Sequence, residues 1–112
     1  MATSIKRLVA GSQLTNAAAT YYTATNVSAR VDSCALVNTT AGAITATVHL
    51  VPSGGTATAA NCILSAKSIA AGATFVPPGI IGQVIENGGT LQALASANTS
   101  ITLVASGIEY TA

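Results

Sequence analysis

The segment AITATVHLV at residues 43–51 has the clearest alternation of apolar and polar side chains in this chain. Successive side chains of a β-strand point to opposite faces, so a strand here would bury one row and expose the other. The row predicted to face the core is Ile44, Ala46, Val48 and Leu50, and the row predicted to face outwards is Thr45, Thr47, His49 and Val51. The turn sequence PSGG at residues 52–55 then ends the strand.

Short runs rich in Val, Ile, Thr and Ala recur on both sides of this strand, without the sustained i, i+3, i+4, i+7 apolar spacing of a helix. The predicted strands are residues 5–10, 19–25, 29–38, 43–51, 62–70, 74–76, 80–85, 91–96 and 100–106, with 107–110 closing the chain. Residues 29–38 carry apolar side chains on both faces, which is typical of a central strand. We therefore predict an all-β fold, an antiparallel, jelly-roll-like β-sandwich of about eight short strands.

Turn sequences between the runs predict which strands are neighbours. The sequences NTTAG at residues 38–42, NGG at 87–89 and ANT at 97–99 are rich in the residues that tight turns require. They predict three hairpins, which would pair each strand with the next one along the chain.

The composition predicts one small domain with an aliphatic core. The chain has 112 residues, enough for a single modest core, and we assign all of residues 1–112 to one sandwich with a short N-terminal arm at about residues 1–10. It contains 23 Ala and 16 Thr but only four aromatic residues, so each buried side chain removes little area from water. Association with other subunits is the usual remedy for so small a core.

Charge is almost absent, and this excludes several classes of partner. The charged side chains are Lys6, Arg7, Arg30, Lys67, Asp32, Glu86 and Glu109, giving a net charge of +1. A nucleic-acid partner would need a basic stripe, and a membrane helix would need about 20 continuous apolar residues. The sequence has neither, nor an apolar stretch after Arg7 long enough for a signal peptide, so we expect synthesis in the cytosol.

The residues that could perform chemistry do not form a recognisable set. His49 is the only histidine, and we expect it to be a surface or interface residue on a Thr-lined face. The three carboxylates are too scattered to suggest an acid–base pair, so we predict no catalytic residues, no metal site and no cofactor. Cys34 and Cys62 are expected to be reduced thiols in the cytosol, although a disulfide stays open if the protein reaches an oxidising exterior.

Three longer stretches resemble a known family. They read LVAGSQLTNAAATYYTA at residues 8–24, CALVNTTAGAITATVHLVPSGG at 34–55 and AAGATFVPPGIIGQVIENGGTLQALASANTSITLVASGIEY at 70–110. Their pattern of strands and turns resembles the small β-sandwich virion proteins of tailed bacteriophages. The resemblance covers roughly residues 8–110 and is closest at residues 37–40, 85–91 and 106–109.

The resemblance implies a structural protein located in the virion after synthesis in the host cytoplasm. The expected function is capsid decoration (cement), with the major capsid protein or other virion proteins as partners and a homotrimer as the favoured oligomer. Lys6 and Arg7, in the predicted arm, are the candidate shell-contact residues. The alternatives are a ring-forming collar, neck or tail component and a carbohydrate- or receptor-binding module on a fibre.

Overall fold

Nine β-strands and one single-turn 3-10 helix form the secondary structure of residues 3–111, the part of the chain that the computed structural model describes. The elements are β1 (Thr3–Gln13), β2 (Ala19–Thr23), β3 (Val27–Asn38), β4 (Ile44–Val51), η1 (Ala59–Asn61), β5 (Cys62–Ile69), β6 (Thr74–Phe75), β7 (Val84–Ile85), β8 (Thr90–Ala95) and β9 (Ile101–Thr111). The all-β prediction is confirmed. Among these residues there is no helix with the length and apolar character needed to cross a membrane.

The strands form two antiparallel sheets that pack face to face. Sheet A has the order β1-β9-β3-β6, with β7 also paired to β3, and sheet B has the order β2-β8-β4-β5. Because β6 and β7 are two residues each and both pair with β3, they occupy one strand position. The nine strands therefore fill eight positions, four in each sheet.

The pairing of the strands is nested, which makes the sandwich a jelly roll. The first strand pairs with the last (β1 with β9), the second with the next to last (β2 with β8), β3 with β6 and β7, and β4 with β5. The nested pairs form one long antiparallel ribbon that turns back on itself between β4 and β5. The ribbon is rolled up so that β9 also pairs with β3, and β8 also pairs with β4. Eight strands in this order form the double-sheet jelly-roll architecture.

A single aliphatic cluster fills the space between the sheets, as the composition predicts. Its largest fully buried side chains include Leu36, Leu91 and Leu103, and they are interleaved with buried alanines. These small residues are Ala24, Ala29, Ala46, Ala93, Ala95 and Ala105. Alternate residues of β8 and β9 are buried, which is the period of two expected for strands with one face on a core.

The three predicted hairpins are wrong. β3 and β4 lie in different sheets, and the same is true of β7 and β8 and of β8 and β9. Each of these turns therefore carries the chain across the core from one sheet to the other. Turn residues such as Gly88, with a φ of 87°, specify that the chain reverses, but the packing of the sheets decides which strand becomes the hydrogen-bonded neighbour.

Two side chains of β4 that were predicted to face solvent are buried. His49 is 7% exposed and Val51 is 3% exposed. The cause is the segment 52–61, which folds back across the outer face of sheet B. Its Thr58 carbonyl lies 3.0 Å from His49 Nδ1, and Gly55 lies against the side chain of Val51.

Candidate assembly surface

The predicted N-terminal arm is a strand in the region that the structure describes. Residues 3–10 lie in β1, while Met1 and Ala2 are outside the described residues. β1 pairs with β9 along one edge and with no other described strand, and its Leu8 and Val9 side chains enter the core. The segment is therefore an integral edge strand rather than a free arm, because removing it would uncover the core.

Lys6 and Arg7 point to opposite faces of sheet A. Lys6 donates a hydrogen bond to Glu109 Oε2 at 3.4 Å, on the side of the sheet that faces sheet B. Side chains alternate along the regular part of β1, so Ile5 and Arg7 lie on the outer face. The two candidate shell-contact residues thus do not form one basic patch.

An apolar row crosses the outer face of sheet A. The register places Ile5 opposite Ile108, Ile108 opposite Arg30, and Arg30 opposite Val84. Ile5 is 88% exposed and Val84 is 62% exposed, which is unusual for large aliphatic side chains. We refer to these four residues as the sheet A row. It spans all four strand positions of the sheet, from β1 to β7.

The charge of Arg30, within this row, is paired with a carboxylate. Its Nε donates to Asp32 Oδ1 at 2.9 Å, and this hydrogen bond and the carboxylate charge raise the pKa of the guanidinium. The charged end is thereby drawn along β3, and the aliphatic stem of an arginine can cover apolar surface. Arg7, by contrast, has no carboxylate partner among residues 3–111. The row is therefore flanked by one uncompensated positive charge.

Behind β1, Glu109 joins the edge strand to the other sheet. Its Oε2 accepts hydrogen bonds from Lys6 and from the hydroxyl of Tyr22, which lies in β2. Tyr22 is buried, and the loss of water together with the bond to Glu109 raises its pKa above the ordinary value. This contact fixes one end of β9, and hence the position of Ile108 in the row.

Two buried groups that can lose a proton, the Cys34 thiol and the Tyr22 hydroxyl, should make the protein less stable in alkaline solution. Burial raises the pKa of the Cys34 thiol to about 11, and the pKa of Tyr22 is also raised. The usual values for unfolded chains are about 8.5 for Cys and about 10 for Tyr. A group with a raised folded-state pKa contributes stability that is complete below its unfolded pKa and is lost as the pH rises towards its folded pKa.

We therefore expect the free energy of unfolding to fall from about pH 9 upwards. Urea denaturation at stepwise pH values measures this profile. Cys34→Ala should remove the part of the decline that begins near the thiol's unfolded pKa, and Tyr22→Phe the part that begins at higher pH. A profile that stays level to about pH 11 would contradict the assignment.

The sheet A row was not recognisable in the sequence. Ile5, Val84 and Ile108 are far apart along the chain, and only the register brings them into line. The sequence signal was weak, because each of these residues is simply an apolar residue beside a polar or charged one within a strand. No protein-family model, curated protein or solved structure matches this chain. The surface must therefore be interpreted from its own chemistry.

Proposed function

We propose that this chain is a virion structural protein of a tailed bacteriophage that decorates the capsid as a homotrimer. The observation that carries the proposal is the sheet A row, which crosses a whole sheet face and has the exposed aliphatic side chains of Ile5 and Val84 at its two ends. Exposed apolar side chains in a contiguous arrangement are a usual feature of protein–protein contact sites. The resemblance described above supplies the class of particle, and double-sheet jelly rolls are common in viral capsids.

In this function the outer face of sheet A packs against a shell subunit. Ile5 and Val84 would be removed from water at the contact, and Arg7 would lie close to a carboxylate of the capsid protein. The chain has few charges to desolvate, so the contact would be mainly apolar and hydroxyl in character. Three such faces in one trimer bind together, and their combined avidity exceeds the affinity of each small contact.

The carbohydrate-binding alternative has less support from the arrangement of the tyrosines. Stacking on a sugar needs an accessible aromatic face, but Tyr22 is buried and its hydroxyl is bonded to Glu109. The Tyr21 hydroxyl accepts a hydrogen bond from the backbone N–H of Thr15 at 3.3 Å. Two of the three tyrosine side chains are therefore engaged within the sandwich, which leaves Tyr110 at the end of β9.

Replacing the two ends of the row should release the protein from the particle. We expect the double variant Ile5→Ser, Val84→Ser to bind capsids at least about tenfold more weakly, because burying each aliphatic side chain contributes roughly 1.5–3 kcal/mol. Both side chains are exposed in the free protein, so its free energy of unfolding should change by less than about 1 kcal/mol. Co-sedimentation with particles that lack the protein measures the binding.

Val76→Ser is the matched control, because Val76 is 53% exposed but lies outside the row. This variant should co-sediment like the unaltered protein. Equal loss of binding in the control and the double variant would argue for a general effect of apolar surface. Unchanged binding of the double variant would contradict the role of the row.

The copy number in purified particles tests the location. Quantitative mass spectrometry against the major capsid protein should give a number of copies comparable to that of the shell subunit. A few copies per particle would instead assign the protein to the collar, neck, tail or fibres. Absence from the particle would contradict the virion function altogether.

A further inference from the structure

A cavity of about 520 Å³ opens on the outer face of sheet B, away from the sheet A row. It lies between β4, β5 and η1 and is more open than enclosed. Its lining residues are Thr47, His49, Ala59, Cys62, Ile63, Leu64 and Ser65. His49 and Cys62 are the titratable groups in this lining, and no charged side chain is part of it. The cavity therefore combines apolar walls with one imidazole and one thiol.

The surrounding hydrogen bonds determine which nitrogen of His49 carries its proton. Nδ1 lies 3.0 Å from the carbonyl oxygen of Thr58 and 3.0 Å from Asn61 Oδ1. The Asn61 amide is held in this orientation, since its Nδ2 donates to the Thr56 carbonyl at 2.8 Å and its Oδ1 accepts from the Thr58 N–H. Nδ1 thus faces two acceptors and must be the protonated nitrogen.

In the neutral imidazole the lone pair is consequently on Nε2. Among residues 3–111 no group is hydrogen-bonded to this nitrogen, although His49 is only 7% exposed. A histidine whose Nδ1–H is fixed by a carbonyl oxygen presents Nε2 as a ready proton acceptor. The side chain lines the cavity, so this lone pair is available to a group or ligand there.

Cys62 is the residue directly opposite His49 on the antiparallel ladder. The ladder is irregular between Val48 and His49, and the side chains of His49 and Cys62 line the same cavity. Cys62 is partly exposed, and its Sγ makes a 3.2 Å contact with the Leu64 carbonyl, within the range of a weak thiol hydrogen bond. A reaction with His49 requires a rotation about the Cα–Cβ bond of Cys62 that breaks this contact and turns the thiol towards the imidazole.

We propose that His49 and Cys62 form a reactive thiol site for small disulfides. His49 Nε2 accepts the thiol proton, and the Cys62 thiolate attacks one sulfur of a disulfide held in the cavity. A new S–S bond forms to Cys62 as the original S–S bond breaks, and the departing thiolate takes its proton from the imidazolium. The products are a mixed disulfide on Cys62 and one small thiol, so the exchange needs no further oxidant.

The lining also indicates which disulfides fit. Ile63, Leu64 and Ala59 provide apolar walls, and Thr47 and Ser65 provide hydroxyl groups. Without a charged side chain, the cavity has no partner for the carboxylates or ammonium groups of a charged disulfide. Uncharged hydroxyalkyl disulfides should therefore react faster at this site than charged ones.

The second cysteine supplies an internal control. Cys34 is 2% exposed in the core between the sheets, and burial raises the pKa of its thiol to about 11. A buried thiol of this kind is unreactive until the protein unfolds. Modification of the folded chain should thus be confined to one of its two thiols.

The test uses the full-length protein and bis(2-hydroxyethyl) disulfide, with products followed by intact mass spectrometry and peptide mapping. We expect a single adduct on Cys62 and none on Cys34. His49→Gln should slow the exchange at least about tenfold, because it removes the proton acceptor. In the unaltered protein Cys62 should also exchange faster in the folded chain than in the unfolded one, because unfolding separates it from its ladder partner His49.

The unfolded protein is the reference for every rate. Each rate is divided by the rate of the same protein unfolded in guanidinium chloride, which removes differences unrelated to the cavity. This ratio of folded to unfolded rate in the unaltered protein tests the proposal by itself if His49→Gln folds poorly. A ratio of one or less in the unaltered protein, equal ratios in both proteins, or no adduct on Cys62 would each overturn the proposal.

Discussion

Replacing Gly107 by alanine is expected to destabilise the sandwich by at least about 3 kcal/mol, at or beyond the upper end of overpacking costs. Gly107 lies in β9 between its register partners Lys6 in β1 and Val31 in β3. A Cβ atom at this position would lie 1.9 Å from the carbonyl oxygen of Arg30 and 3.0 Å from its carbonyl carbon. Both are backbone atoms, so no side-chain rotation can relieve the clash.

Relief would require β3 and β9 to separate at the centre of sheet A. The same two strands carry Arg30 and Ile108, so any separation also disturbs the sheet A row. A domain of this size has a total stability of about 5–15 kcal/mol, and the substitution removes a large part of it. Urea denaturation followed by circular dichroism gives the free energy of unfolding directly.

Gly42→Ala is the matched control for this prediction. A Cβ atom at Gly42 would have no other atom within 4 Å, and its φ is outside the left-handed range. Its free energy of unfolding should remain within about 0.5 kcal/mol of that of the unaltered protein. If Gly107→Ala were as stable as Gly42→Ala, the close approach of β9 to Arg30 would be disproved.

The class of fold was predictable because alternation is a local property. Residues 43–51 alternate clearly, and residues 44–51 form β4 with Ala46 and Val48 on the core side. The abundance of small residues likewise indicated an aliphatic core with few aromatic side chains. These predictions depend on the backbone geometry of single strands, and the alternation of apolar and polar residues reflects that geometry directly.

The neighbours of each strand were not predictable from the turns. The NGG sequence at residues 87–89 is a strong hairpin signal, yet β7 pairs with β3 and β8 pairs with β2 and β4. A jelly roll joins strands from opposite ends of the chain, so its order depends on contacts between residues more than 80 apart, such as Ile5 with Ile108. Local turn chemistry carries no information about such pairs.

The sheet A row depends on this long-range order, whereas the cavity by His49 is lined by residues 47–65, which belong to β4, β5 and the segment between them. The sheet A row exists because β1, β9, β3 and β7 are neighbours, and the cavity by His49 exists because residues 52–61 return over sheet B. The sequence identified Lys6 and Arg7, whose charges stand out, but not Ile5, which is inconspicuous until its exposure is known. Their function in docking stays a prediction.

Asn38 is the residue whose loss should have the second large effect, because it joins the two sheets. Its side chain is completely buried at the end of β3. Nδ2 donates to the carbonyl oxygens of Gly42 and Ile69, both at 2.8 Å. Oδ1 accepts from the Thr40 N–H at 2.9 Å and from the Thr40 hydroxyl at 2.7 Å. Ile69 is the last residue of β5, which belongs to sheet B. The Asn38 side chain therefore hydrogen-bonds the polar groups of the turn and links the end of β3 in sheet A to the end of β5 in sheet B.

Asn38→Ala is therefore expected to lower the free energy of unfolding by at least about 3 kcal/mol, since each buried polar group left unpaired costs roughly 1–3 kcal/mol. Asn38→Asp keeps the size of the side chain and its acceptor oxygen, but it replaces the donor nitrogen with an oxygen that faces two carbonyl groups. A loss of stability at neutral pH comparable to that of Asn38→Ala would show that the two bonds donated by Nδ2 are the essential ones.

Asn98→Ala is the control, because Asn98 is exposed and its side chain accepts a single hydrogen bond, from the Asn16 N–H at 2.8 Å. We expect this control to lose less than about 1 kcal/mol in the same urea titration. Similar losses at positions 38 and 98 would mean that the buried amide does not hold the sheets together.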